Sequence, residues 1–360
     1  MNRFSNLDAL RGVAALMVVL YHVFEAIAFA AGAPEQQMYH GFLAVDFFFV
    51  LSGFVMGYAY DERLRTGRMS SWDFVKRRLI RLHPMVVWGV IIGAVAFILQ
   101  GCTTWDGRSV GFGTLSVAIL LALFLIPTPA RFDVRGNTEM LPLNGPHWSL
   151  FFEYLGSWAY VILLRRLRTR HLALWVGIAA IMLSVHALFI APDHSIAYGW
   201  SVVPSNMAGG ALRILFAYPM GLLLSRLHRM KTWKIPTWTA FVFLPLLLMM
   251  PSLPSPFNAI YQLLTVCVAF PLIVWAGAGV QGKSTLPDFL GRLSYPLYAV
   301  HYPLIYLYIH YLQTNVLSPT IGSGMLVFAA ALVLGILSLK VDEAVRKSPN
   351  FIPKNFVMSK

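Results

Sequence analysis

The chain has 360 residues, of which 58% are hydrophobic and only 12% charged. Soluble domains carry about 25% charged residues, so the composition excludes an ordinary soluble domain and points to an all-α, polytopic transmembrane bundle in a cell membrane. The net charge of +13 would suit a nucleic-acid partner, but the Lys and Arg cluster in short loops between apolar runs. That is the positive-inside pattern, and it excludes nucleic acid in favour of a bilayer.

The first apolar run, LDALRGVAALMVVLYHVFEAIA from Leu7 to Ala28, carries Arg11 and His22. At ~100° per residue, eleven steps return to within ~20° of the start, so both side chains share one face, ~16 Å apart in rise. Ionisable groups within spans are costly, face a bundle interior or a water-filled cavity, and are functional candidates by default. Ala28-Phe29-Ala30 has the form of a signal-peptidase site. The run is nevertheless long for a signal core and contains Asp8, Arg11 and His22, so it is read as a retained span.

Further spans are predicted near 41–60, 84–101, 148–164, 172–191, 208–225, 236–250, 258–277, 293–312 and 323–340. That makes about ten crossings of ~20 residues each. The apolar segment 113–127 is only ~15 residues long and is predicted to be re-entrant or interfacial. Basic residues concentrate near 61–83, 165–171, 226–235 and after 340, whereas 29–40, 192–207, 251–257 and 313–322 contain no Lys or Arg. Both termini are therefore expected in the cytoplasm, with one transmembrane domain over 1–345 and a short basic tail over 346–360. Cys102 and Cys267 offer neither metal spacing nor a disulfide framework, and no metal site is expected.

In this topology Asp46 lies ~7 Å below the outer end of the second span. Glu153, in HWSLFFEYLGSW, lies ~7 Å below that of the fourth, and His22 falls in the same outer half. A histidine beside a carboxylate is a general-base arrangement, so Glu153 or Asp46 is expected to support His22. The competing reading gives each carboxylate a buried structural partner, and Arg213, in an otherwise apolar span, suits that role. At the inner face, KRRLIRLHP sets Arg78 and Arg81 three apart on one helix face. Paired guanidinium groups grip phosphate with fixed geometry; a plain topology signal is the alternative. Arg11 adds a cation at that level. Trp148 opens the fourth span, and SYPLYAVHYPL in the ninth presents Ser294, Tyr295, Tyr298 and His301 as further candidates for lining a site. Tyr302 and Tyr311 read as aromatic-belt residues.

These pieces resemble acyltransferase family 3, a family of integral-membrane acyltransferases acting on carbohydrates and other extracytoplasmic acceptors. The matching segments are LDALRGVAALMVVLYH, GFLAVDFFFVLSGFVMGY, RRLIRLHP, HWSLFFEY and FLGRLSYPLYAVHYPL, in family order across nearly the whole chain. The resemblance implies an O-acyltransferase, foremost an O-acetyltransferase, of a bacterial inner membrane. Its donor would be cytoplasmic acyl-CoA, foremost acetyl-CoA, and its acceptor a hydroxyl of a glycan or glycolipid. It implies His22 as the catalytic histidine with Arg11 as its partner, and Arg78 and Arg81 as the acyl-CoA motif. Glu153 matches the family's WSLxxE glutamate. General-base catalysis and a covalent acyl-histidine relay both stay open. Many relatives carry a fused extracytoplasmic hydrolase-like domain, so a separate acyl-handling partner is also an expectation for this shorter chain. A transporter with a polar proton or substrate pathway is the reading from another class; no inverted or parallel repeat supports it.

Overall fold

A computed structural model of the chain describes residues 4–32, 40–228, 236–279 and 285–347. The expected loop positions 33–39 and 229–235, and the tail from 348 onward, lie outside the described residues. The fold is helical: among the described residues there is no β-strand, only the isolated bridges Thr103–Ser109 and Glu139–Ser201.

Helix α1 (Ser5–Ala31) ends on Gly32, whose left-handed backbone (φ 62°) returns its N–H to the last turn. It is followed by α2 (Ala44–Arg65) and α3 (Ser71–Leu99). The latter starts on a Ser70 cap whose hydroxyl accepts from the Asp73 backbone N–H at 3.0 Å. Then come α4 (Phe112–Leu123), α5 (His147–Ile162), α6 (Thr169–Val185) and α7 (Pro204–His228). The remainder is α8 (Phe243–Leu248), α9 (Phe257–Leu264), α10 (Phe270–Gly277), α11 (Thr285–Val300), α12 (Tyr302–Gln313) and α13 (Ile321–Lys347). The π-turn Thr265–Ala269 joins α9 to α10.

Among the described residues, 7 helical segments are long and apolar enough to cross a membrane: Ser5–Ala31, Gly41–Arg65, Ser71–Leu99, Thr169–Ile190, Pro204–His228, Phe257–Gly277 and Ile321–Lys347. The other three predicted spans are shorter or broken. That near 148–164 is the 16-residue α5. That near 236–250 is a 3-10 turn followed by the 6-residue α8. That near 293–312 is two helices meeting at His301. The physical cause of this last break is Pro303, which has no N–H to give and whose ring excludes the carbonyl four residues back. That carbonyl, on Ala299, instead accepts from Asn144 Nδ2 at 2.8 Å and His147 Nε2 at 3.2 Å. Broken helices are tolerated at membrane depth where neighbours satisfy the freed backbone in this way.

Two close helix contacts position the polar residues. At α2 and α7 a methyl on Gly53 would lie 2.0 Å from the Tyr218 carbonyl oxygen, and one on Gly221 would lie 1.9 Å from that of Val50. Only glycine permits such an approach, the small-residue packing typical of membrane helices. The pairings of Asp46 with Arg213 and of Gly53 with Tyr218 advance along both chains together, so α2 and α7 run parallel. Helices α1 and α11 do likewise. Gly12 sits on Leu290 and Asp8 on Gly291 at one end, while His22 reaches His301 at the other.

Candidate active site

Two cavities among the described residues gather the candidate side chains. The first, of about 540 Å³, opens among the basic residues and is lined by Arg11, Arg78, Arg81, Glu153 and Arg346, with Ser294, Tyr295 and Tyr298 from α11. The predicted span start near 84 falls inside α3, which runs unbroken from Ser71. Arg78 therefore sits two turns within the helix rather than at its mouth. Its Nη2 donates to Glu153 Oε1 at 2.6 Å, and Ser52 Oγ donates to the same oxygen at 2.7 Å. Arg11 Nη1 lies 3.3 Å from Asp8 Oδ1, and Arg346 Nη2 lies 2.7 Å from Asp342 Oδ2. Arg81 has no ion-pair partner among the described residues, and Arg78 Nε is buried without a hydrogen-bond acceptor. Cationic donors thus remain for an anionic ligand. Ser294 Oγ donates to the Gly291 carbonyl at 2.9 Å and Tyr295 Oη to that of Leu82 at 2.5 Å.

The second cavity, of about 730 Å³, is lined by His22, Glu25, Glu139, Trp148, Arg213 and Tyr302, among others. His22 Nδ1 lies 3.0 Å from Glu25 Oε2, one turn along α1, and Tyr21 Oη donates to Glu25 Oε1 at 2.9 Å. A carboxylate can only accept, so Nδ1 carries the hydrogen and the neutral ring is left with a bare Nε2. The His22 ring stacks on His301 at 5.5 Å between centroids and meets the edge of Tyr302 at 4.6 Å. His301 is fully buried. Its Nδ1 donates to the Tyr298 carbonyl at 2.9 Å, at the break between α11 and α12.

Glu153 and Asp46, expected beside His22, stand elsewhere. Glu153 is held by Arg78 in the basic cavity. Asp46 Oδ1 and Oδ2 accept from Arg213 Nε and Nη2 at 2.9 and 2.7 Å, in a pair whose side chains are 0% and 2% exposed. The carboxylate at His22 is Glu25. Depth alone misled here: a position along one helix says nothing about which neighbours it faces. Arg213 does serve as a counter-ion, and its guanidinium also lies 5.1 Å from the Trp148 ring centroid.

The segment between α4 and α5 holds further polar residues that no sequence signal marks. There Glu139 accepts from Asn137 Nδ2 at 2.9 Å and from Tyr306 Oη. Burial pushes its carboxyl above the ordinary value, against the opposing pull of Tyr306 and Arg135. Arg135, 1% exposed, donates to Gln100 Oε1 at 2.5 Å and to the Pro142 carbonyl at 3.0 Å, with its guanidinium 3.8 Å from the Tyr306 ring centroid. No periodicity marks such a loop. Glu25, in contrast, was legible as the residue three after His22.

The family model of the acyltransferase domain matches residues 4–339, nearly the whole chain. The chain belongs to acyltransferase family 3. It is 35% identical over 191 residues to "Protein 2 in picA locus" of Rhizobium radiobacter, covering 51% of this chain and 95% of that one. It is 27% identical over 330 residues to "Acyltransferase MdmB" of Streptomyces mycarofaciens, covering 84% of this chain and 79% of that one. A Staphylococcus aureus (strain COL) protein whose name provisionally assigns it as O-acetyltransferase SACOL0978 is 24% identical over 330 residues, 85% of this chain and 51% of that protein. No solved structure matches the chain. The protein is a multi-pass membrane acyltransferase.

Proposed function

We propose that this acyltransferase moves an acyl group, foremost acetyl, from acyl-CoA in the basic cavity to a hydroxyl of a carbohydrate acceptor in the His22 cavity. One observation carries the reading: the two cavities are adjacent, sharing Val45 and Tyr298 as wall residues, with unpaired cationic donors in one and a histidine–carboxylate pair in the other. The basic end faces the cytoplasm, as the positive-inside rule requires, so donor and acceptor arrive from opposite sides. Arg81, the free Nε of Arg78, and Arg11 and Arg346 around them would hold the phosphates of the donor. Trp105, Trp200 and Tyr302, with Asn137 and Glu139, give the acceptor cavity flat apolar faces and convergent polar groups.

In the reaction the acceptor hydroxyl gives its proton to His22 Nε2 as its oxygen attacks the thioester carbonyl carbon. Glu25 stabilises the imidazolium through Nδ1–H. The C–S bond then breaks, and the departing sulfur takes the proton from Nε2 to leave as the free thiol of CoA. General-base assistance of this kind supplies roughly 10²–10⁴-fold. The test is release of free thiol from acetyl-CoA by the purified full chain in lipid nanodiscs, with and without a glycan acceptor. Release that is absent in His22→Ala supports the reading. No release from wild type, or equal release from His22→Ala, overturns it.

A further inference from the structure

Tyr298 lines both cavities, and both ends of the residue are fixed. Its hydroxyl lies 2.6 Å from Ser149 Oγ and donates toward the Pro146 carbonyl at 3.1 Å, while Ser149 Oγ approaches the same carbonyl at 3.0 Å. Its ring meets the edge of Phe48 at 5.7 Å between centroids. Its backbone carbonyl accepts from His301 Nδ1 at the break between α11 and α12. Tyr298 is only 6% exposed and Val45, which also lines both cavities, only 7%. An aromatic ring tied at its tip and at its base does not swing, so it forms a fixed wall common to both cavities. Tyr298 and Val45 are the residues that line both cavities, so an acyl group that travels from the basic cavity to His22 passes beside them.

Resting on the donor–acceptor reading above, we propose that Tyr298 and Val45 form the acyl-chain gauge of the enzyme: the passage beside this fixed wall admits short acyl groups and rejects longer ones. The selection is steric. One methylene too many in an apolar slot changes a rate about 10–200-fold, and a rigid wall gives the upper part of that range because it cannot yield. The hydroxyl ties of Tyr298 hold the ring in place, and the ring itself does the excluding.

The experiment measures thiol release from acetyl-, butyryl- and hexanoyl-CoA by the purified full chain, wild type and variants, normalised to folded protein by size-exclusion chromatography. Wild type should prefer acetyl to hexanoyl. Tyr298→Ala should lower that ratio at least about tenfold, and Val45→Ala should lower it in the same direction. Val45→Phe should narrow the slot and suppress butyryl more than acetyl. Tyr298→Phe keeps the ring and should stay closer to wild type than to Tyr298→Ala. Should Tyr298→Ala fail to fold, the two Val45 variants decide. If wild type consumes acyl-CoA but the ratios in the widened variants equal its own, the gauge is overturned and the donor reading stands. If wild type consumes no acyl-CoA of any length, both fall together.

Discussion

Arg78 of α3 and Glu153 of α5 form an ion pair 2.6 Å long, and Ser52 of α2 donates to the same carboxylate oxygen. Three helices are thereby tied at the floor of the basic cavity. The arrangement also leaves Arg78 with an unused buried Nε, so one guanidinium can hold a structural partner and still face a ligand.

Removing one partner of a buried pair leaves the other charge uncompensated, at a cost of about 3–5 kcal/mol. Arg78→Ala should therefore lower thermal stability in detergent markedly, and Glu153→Gln added to it should recover part of the loss. A double-mutant cycle on the unfolding temperature measures the coupling. Strictly additive losses would show that the pair contributes nothing to the fold.

Arg81 lines the same cavity with no ion-pair partner among the described residues. Arg81→Ala should raise the KM for acetyl-CoA while shifting stability by no more than about 0.5 kcal/mol. Arg81→Lys should restore binding only in part, because lysine keeps the charge and loses the planar fork. Steady-state kinetics with donor varied at fixed acceptor give the answer. A change confined to the acceptor KM would assign Arg81 to the other substrate.

His22→Ala should lower kcat by roughly 10²–10⁴-fold with unchanged membrane levels by immunoblot. Glu25→Gln should fall between wild type and His22→Ala, since the amide can still orient the ring but no longer stabilises the imidazolium. Glu153→Gln should act through the basic cavity alone. A Glu25→Gln enzyme as fast as wild type would remove Glu25 from the proton path.

Glu139 lies in the segment between α4 and α5, outside the candidate spans, and burial raises its carboxyl above the ordinary value. A carboxyl that binds its proton more tightly when folded makes stability fall as pH rises from the unfolded value through the folded one, and leaves it level above. Glu139→Gln removes that loss. Its unfolding temperature should exceed that of wild type at about pH 7 and converge on it toward about pH 4, near the unfolded carboxylate value. Scanning fluorimetry across that range tests the sign; a gap that widens toward acid would reverse it.

The apolar helix α4 has 12 residues and rises ~18 Å against a hydrocarbon core of ~30 Å. The loop that follows it should thus lie on the same side as the one before it. With Cys102 and Cys267 replaced, a single cysteine at position 137 should react with an impermeant thiol reagent on intact cells, and one at 168 should not. The reverse pattern would invert the sidedness of the His22 cavity, whose wall includes Asn137.

Much of this molecule is readable from sequence because hydropathy and helical period act locally. Apolar runs in a chain with so few charges specify membrane helices. The eleven-residue interval from Arg11 to His22 puts both on one face whatever surrounds them. The same local geometry made Glu25 accessible to inspection, three residues beyond His22. What local rules do not contain is the lateral order of helices. Glu153 and Asp46 match His22 in depth on paper, yet the packing of α2 on α7 through Gly53 and Gly221 turns Asp46 to Arg213. The unbroken run of α3 through Pro84 likewise carries Arg78 to Glu153. The adjacency of the cavities at Tyr298 depends on α1, α2, α5 and α11 at once, through contacts between residues far apart in the chain. Hydropathy and charge thus specify most of the helices, the basic end and the family, whereas which charge faces which is set by side-chain packing between helices and not within any one of them.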